Sequence, residues 1–205
     1  YYAENQGVAS ARNRAIERAH STYLAFLDSD DAWHPEKLSK QIACFKSHPE
    51  IDTLFTDFLN INLSNNIHEN NFQSYQQAMK SLVSLPMDEH LFIIQSGFLK
   101  SLASGNYIAT DTVMIRRSSL TTPKPFNENL RNSEDFGLWW RLGLAGIKFA
   151  YLDQILMTRY KPTNSLSSLS PLSIQSQINA LDLCAKASVK ANRSDLVPYL
   201  HSLYR

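Results

Sequence analysis

The chain has 205 residues, 43% hydrophobic and 19% charged, which suits one folded domain and excludes a disordered or fibrous protein. A formal net charge of +1 gives no reason to expect nucleic acid as a partner. Cys44 and Cys184 stand too far apart in sequence to suggest a disulfide framework or a cysteine metal cluster, and no apolar run approaches the roughly 20 residues of a membrane span.

Tyr1-Tyr2-Ala3 opens the chain without Met and reads as the tail of a strand already under way. Val8, Ala11, Ala15, Ile16 and Ala19 recur at helical spacing and predict a helix over 7–20, with Asn5-Gln6-Gly7 as its turn and cap. Tyr23-Leu24-Ala25-Phe26-Leu27 reads as a buried strand that stops at Asp28-Ser29-Asp30-Asp31. Pro35 suits the start of a helix with Leu38, Ile42 and Phe45 on one face, ended by His48-Pro49. A second strand follows over 51–63, then an Asn-rich surface loop over 64–77. Leu91, Ile94, Phe98 and Leu102 predict a helix over 87–102.

Thr112 to Ile115 reads as a short strand leading into Arg116-Arg117. Ser133 is placed to cap a helix from Glu134 that carries Phe136, Trp139, Trp140, Leu142 and Leu144 and closes at Gly146. Two short strands are expected at 148–152 and 155–157. A Ser-rich linker over 165–173 then leads to two helices separated near Asn192-Arg193-Ser194. Helices alternating with short strands point to a layered α/β fold. The expected division is a first unit over 1–162 and an extension over 163–205.

Two acidic groups carry the chemistry. Asp28, Asp30 and Asp31 follow an apolar run, at the strand end where open α/β sheets bind ligands. Carboxylates that close repel unless a cation or ligand donors compensate them, and oxygen ligands suit Mg²⁺ or Mn²⁺. The plain alternative is a helix cap, which needs one carboxylate. Glu134-Asp135 at a helix start could likewise be a cap, or a general base. His20, His34, His48, His68, His90 and His201 show no metal-ligand spacing.

Three blocks of sequence resemble glycosyltransferase family 2, inverting nucleotide-sugar transferases of the GT-A fold. They are Asn5-Gln6-Gly7-Val8-Ala9-Ser10-Ala11-Arg12-Asn13-Arg14-Ala15 with Tyr23 to Leu38; Thr112 to Arg117; and Phe126-Asn127-Glu128-Asn129-Leu130 with Glu134-Asp135-Phe136-Gly137-Leu138-Trp139-Trp140-Arg141-Leu142. The resemblance implies a GT-A mixed sheet flanked by helices, with the family's first strands lying upstream of residue 1. It implies a metal-binding D-x-D pair, Asp28 and Asp30, with Asp31 beside it and Arg12 and Asn13 flanking the donor. Asp135 matches the catalytic base, and Glu134 and Trp139 the acceptor region. Arg159-Tyr160 inverts the family's Y-R ending.

The partners implied are a nucleoside-diphosphate sugar, a saccharide, lipid or protein acceptor, and Mn²⁺ or Mg²⁺. The expected setting is cytoplasmic, at the inner face of a membrane with peripheral association. A non-catalytic remnant that binds nucleotide or a partner without turnover is the alternative. A metal-dependent phosphohydrolase would use only the first block.

Overall fold

The structure is a computed structural model and describes residues 5–161 and 170–203. The expected strand tail at 1–3 and most of the Ser-rich linker lie outside the described residues. Helices α1 (Val8–Arg18), α2 (Lys37–Ser47), α3 (Asn71–Ser74), α4 (Gln76–Lys80), α5 (Phe98–Leu102), α6 (Glu134–Leu144), α7 (Pro171–Lys190) and α8 (Val197–Ser202) pack around one mixed sheet. Its strands are β1 (Tyr23–Ala25), β2 (Asp31–Trp33), β3 (Thr53–Asn62), β4 (Ile67–Asn70), β5 (Val83–Pro86), β6 (Leu91–Ser96), β7 (Met114–Arg116) and β8 (Phe149–Lys161).

The order is β1-β7-β3-β8-β6-β5, with β2 added to β8 and β4 to β3. Parallel β3 and β8 form the spine. Their first halves, Thr53 to Thr56 beside Phe149 to Leu152, lie between β7 and β6. The register then shifts on both sides of Asp57, and the second halves lie between β4 and β2. A shift of this kind bends the strand and re-aims the residues beyond it. Beyond it the end of β8 pairs with β2, which begins at Asp31, just past the end of β1 and Asp28.

Several expectations change in three dimensions. The segment 64–77 is not a plain loop: after a turn at 63–66 it forms β4, α3 and α4. The helix expected over 87–102 is β6 followed by the short α5, because Gly97 turns the chain at φ 82 between them. A Cβ at Gly97 would lie 2.3 Å from the Ser81 carbonyl oxygen, so only glycine fits there. The two strands expected at 148–157 are one, β8. On α2 the buried face is Lys37, Gln41 and Phe45, while Leu38 is exposed. Gln41 donates to the Leu54 and Thr112 carbonyls at 3.1 and 2.9 Å and accepts from Lys37 Nζ at 2.9 Å, which makes a polar face internal. Ser170 caps α7 by accepting from the Ser173 amide, so the last residues of the expected linker are already helical.

Trp139 and Trp140 are fully buried, their indoles donating to the Ile108 carbonyl and the Ser188 hydroxyl. Leu181 and Cys184 of α7 and Leu200 of α8 join the same core cluster, so the C-terminal helices share the core of the sheet domain. Burial pushes the Cys184 thiol up to about 12. Arg116 bonds the carbonyls of Phe45, Ile51 and Pro49 and stacks on Tyr23 and Phe45, a clamp within the fold.

Candidate active site

Arg12 is the joint of the site. One face of α1 turns it inward, and its guanidinium donates to Glu134 Oε1 at 2.6 Å and to both carboxylate oxygens of Asp28, at 2.8 and 2.9 Å. The end of β1 and the start of α6, more than a hundred residues apart, are thereby held by one buried cation. Burial alone would lower the Arg12 pKa, but Asp28 and Glu134 outweigh it and raise it. Arg12 is thus a buried charge on the inner face of α1.

The cavity around this joint measures about 610 Å³. Six carboxylates line it, Asp28, Asp30, Asp31, Asp111, Glu134 and Asp135, against Arg12, Arg131, Arg159 and Lys161. The acidic excess is visible in protonation. Burial and then Asp135 push Glu134 up to about 7, with Arg12 pulling the other way. Burial likewise raises Asp135, opposed by the Phe136 amide and Arg12. Burial and then Asp111 push Asp31 up to about 6, against Arg159. Burial and Asp28 raise Asp111.

Asp135 is half-buried at the start of α6; its Oδ1 accepts from the Phe136 amide at 2.6 Å and from Asn106 Nδ2 at 3.3 Å. Ser133, just before, takes φ 60 without a side-chain cap bond, so the cap expected of it is absent. Such backbone costs about 1–2 kcal/mol for a non-glycine residue. Asp30 is exposed and its side chain makes no hydrogen bond or ion pair among the described residues. Asp31 braces the strand pair, accepting from the Tyr160 amide at 3.2 Å with Arg159 Nε at 3.7 Å.

Two of the expected site residues, Asn13 and Trp139, are engaged elsewhere, and a third, Glu134, lines the cavity but is taken up by Arg12. Asn13 is buried and clamps the 126–128 turn, donating to the Phe126 carbonyl and Glu128 and accepting from the Phe126 amide, so it does not line the acidic cavity. Trp139 has no exposed ring surface to offer an acceptor. Glu134, 6% exposed, gives Oε1 to Arg12 and so positions the joint. Trp33 is similarly occupied: its indole donates to the Asp111 carbonyl at 2.8 Å, with Lys37 Nζ 4.3 Å from the ring centroid.

One residue of the site, Asp111, escapes a reading of the sequence, and a second, Arg159, shows there only in an inverted family ending. Asp111, in a one-turn 3₁₀ helix at 110–112, accepts from the Asp28 amide with Oδ1 while its buried Oδ2 has no hydrogen-bond partner among the described residues. A lone aspartate in an uncharged run carries no local signal. Arg159 is marked only by its inverted order with Tyr160; it lies at Asp31 and over the Phe58 ring at 4.9 Å.

Comparison with known proteins fits this geometry. The sequence model described as glycosyltransferase like family 2 matches residues 1–178. The chain belongs to this family. It is 29% identical over 168 residues to the putative teichuronic acid biosynthesis glycosyltransferase TuaG of Bacillus subtilis (strain 168), covering 82% of this chain and 58% of that protein. It is 28% identical over 156 residues to the amylovoran biosynthesis glycosyltransferase AmsB of Erwinia amylovora, covering 76% and 47%. The chain thus spans about half the length of these relatives. The crystal structure of S. aureus TarS 1–349 superposes with TM-score 0.62 at 17% identity, over 96% of this chain and 51% of that one. Its complex with UDP gives TM-score 0.60 at 18% identity, over 94% and 49%. The fold is the α/β fold of the GT-A class, as the motifs implied.

Proposed function

We propose that the protein transfers a sugar from a nucleoside-diphosphate donor to an acceptor hydroxyl with inversion, assisted by Mn²⁺ or Mg²⁺. The observation that carries this reading is the Arg12 joint, which sets Asp28 and Asp30 and the Glu134-Asp135 pair on walls of one cavity. The UDP held by the TarS neighbour supports the donor class.

The carboxylates fit a cation shared with a donor. Asp30 is exposed, Asp28 is paired with Arg12, and no group of three or more His, Cys, Asp or Glu among the described residues is arranged to hold a metal alone. Mg²⁺ commonly uses one or two carboxylates and completes its shell with water and substrate phosphates. Asp30 would hold the ion, with Asp28 beside it. When bound, it supplies neutralisation of the charge on the departing diphosphate.

The chain's own groups do the remainder. Asp135, its pKa raised, takes the proton of the acceptor hydroxyl; a base with a raised pKa retains that proton better near neutrality. The hydroxyl oxygen then attacks the anomeric carbon, the carbon–diphosphate bond breaks, and configuration inverts. Arg12 holds both acidic walls in place during that step. A cytoplasmic setting at the inner face of a membrane belongs to the same reading. It is supported by two unpaired cysteines, and no helix among the described residues is long and apolar enough to cross a membrane.

In the full-length protein, Asp135→Asn is expected to lower kcat about 10²–10⁴-fold with nucleotide binding retained. Asp30→Ala should remove Mn²⁺-dependent UDP or GDP binding measured by calorimetry. Turnover near wild type in Asp135→Asn, or a product of retained anomeric configuration by NMR, would sink the mechanism. Nucleotide binding with no turnover under any acceptor would leave a remnant.

A further inference from the structure

Two cavities meet at Asp135. The acidic one is described above. A second, of about 420 Å³, shares Asn106, Asp135, Arg159 and Lys161 with it and extends the other way, over the second half of β3 and onto β4 and α3. We propose that this second cavity binds the acceptor and that the acceptor's bound end is a saccharide, not a lipid chain. The inference rests on Asp135 being the base of the transfer.

The lining argues for hydroxyl chemistry. Asn60, Glu69, Asn71, Ser74 and Tyr75 contribute polar groups. The apolar members, Phe58, Ile108 and Ala109, form a floor with almost no exposed area. Asn60 is only 7% exposed, and its Oδ1 has no hydrogen-bond partner among the described residues. An unmet buried acceptor costs about 1–3 kcal/mol, and a ligand hydroxyl donating to it removes that cost. A hydroxyl both donates and accepts, as an amide side chain does, so a polyol can satisfy such a wall in either sense. A lipid chain would strip water from these amides and return nothing.

Tyr75 adds a flat surface. Gly105 packs so close beneath its ring that a Cβ there would lie 2.5 Å from Cε1, and the Tyr107 ring stands 6.3 Å away. A fixed aromatic face beside amides suits a pyranose, whose C–H face is apolar and whose rim is hydroxylic. Sugar seated there brings its rim to Asp135, where the donor cavity begins.

The test is saturation-transfer NMR on the full-length protein with UDP and diamagnetic Mg²⁺. The probes are methyl glycosides of glucose, galactose, N-acetylglucosamine and rhamnose, with farnesyl phosphate and a Ser/Thr peptide as competitors in class. At least one glycoside should give saturation transfer at about 10 mM, the millimolar range of a weak complex. Tyr75→Ala and Asn60→Ala should each weaken that signal tenfold or more while the UDP Kd changes less than twofold. Asn60 lies in a central strand, so Glu69→Ala, at an exposed position, serves as a third variant if Asn60→Ala fails to fold.

Absence of signal from every glycoside overturns the inference. So does a signal indifferent to Tyr75→Ala and Glu69→Ala, or one from farnesyl phosphate or the peptide in place of the glycosides. Nucleotide binding without glycoside binding leaves the transferase reading intact and removes this one. Glycoside binding that depends on Tyr75 without nucleotide binding does the reverse, supporting a saccharide pocket and removing the donor.

Discussion

On one side of Asp135 the charges come in clusters, Asp28 to Asp31 and Glu134-Asp135, locked together through Arg12. On the other side polar groups arrive singly, Asn60 from β3, Glu69 from β4, Asn71 from α3 and Tyr75 from the turn after it. Clustered charge is collective: removing one member changes the state of every other, because burial amplifies their interaction. A wall of separate polar groups is nearly additive. The acidic side should therefore respond to substitution as a unit, and the polar side residue by residue.

The largest effect tests the first half of that contrast. Arg12→Met leaves Asp28 and Glu134 without their shared cation and should cost roughly 3–5 kcal/mol in urea unfolding at pH 8. The loss should shrink at pH 5, where Glu134, with a folded-state pKa of about 7, is protonated. Adding Glu134→Gln should restore part of the stability; strictly additive losses in the double variant would break the comparison.

On the polar side, Asp57 accepts from the Phe58 and Phe72 amides at 2.8 and 2.9 Å and ties α3 to β3. Asp57→Ala should speed exchange of the Phe72 amide about tenfold or more. The amides of α6 should keep their protection. Parallel loss of protection in both places would show the two sides to be coupled after all.

Titration offers a third test. Glu134 and Asp57, at about 7 and about 6, hold protons in the folded state that the unfolded chain has released, so stability falls as pH rises from about 4 to 7. Burial lowers Lys37 to about 7, so above that the folded state has lost a proton the unfolded chain keeps, and stability rises again. Metal-free protein should show its lowest urea midpoint near pH 7, below those at pH 5 and pH 8.5. Glu134→Gln should flatten the acid limb more than Asp57→Asn; equal flattening would deny the acidic side its larger share.

The smallest effect concerns Ser133, whose φ of 60 precedes the Glu134-Asp135 pair. Ser133→Gly should raise stability by about 0.5 kcal/mol, the relief of left-handed strain less the added freedom of the unfolded chain. A loss of stability would mean that the Ser133 side chain supports the start of α6.

The same contrast explains how much is legible in the sequence. Asp28-Ser29-Asp30-Asp31 and Glu134-Asp135 are conspicuous because like charges are adjacent in the chain, and α1, α6 and β3 because their apolar positions follow the local period. The polar wall has no such signature. Segment 64–77 reads as structureless because β4 is exposed along most of its length and held by backbone pairing to β3. The spacing of Leu91, Ile94, Phe98 and Leu102 mimics one helix by running straight across Gly97, whose positive φ separates a strand from a helix. Asn13 and Trp139 sit at motif positions yet support the site from behind, and motif position alone cannot distinguish contact from support.

The irregularity at Asp57 has one more consequence. The second half of β3 and the β4–α3 segment hang together as a cassette, joined to the rest by the β3–β8 ladder, the Asp57 carboxylate, the bond from Asn71 to the Tyr107 carbonyl at 2.8 Å and the packing of the Phe72 ring on Phe55 and Tyr151. None of these fasteners involves the carboxylates of the acidic cavity. A chain built this way can trade one wall of the second cavity for another, by exchange of about a dozen residues, and keep the Arg12 joint untouched.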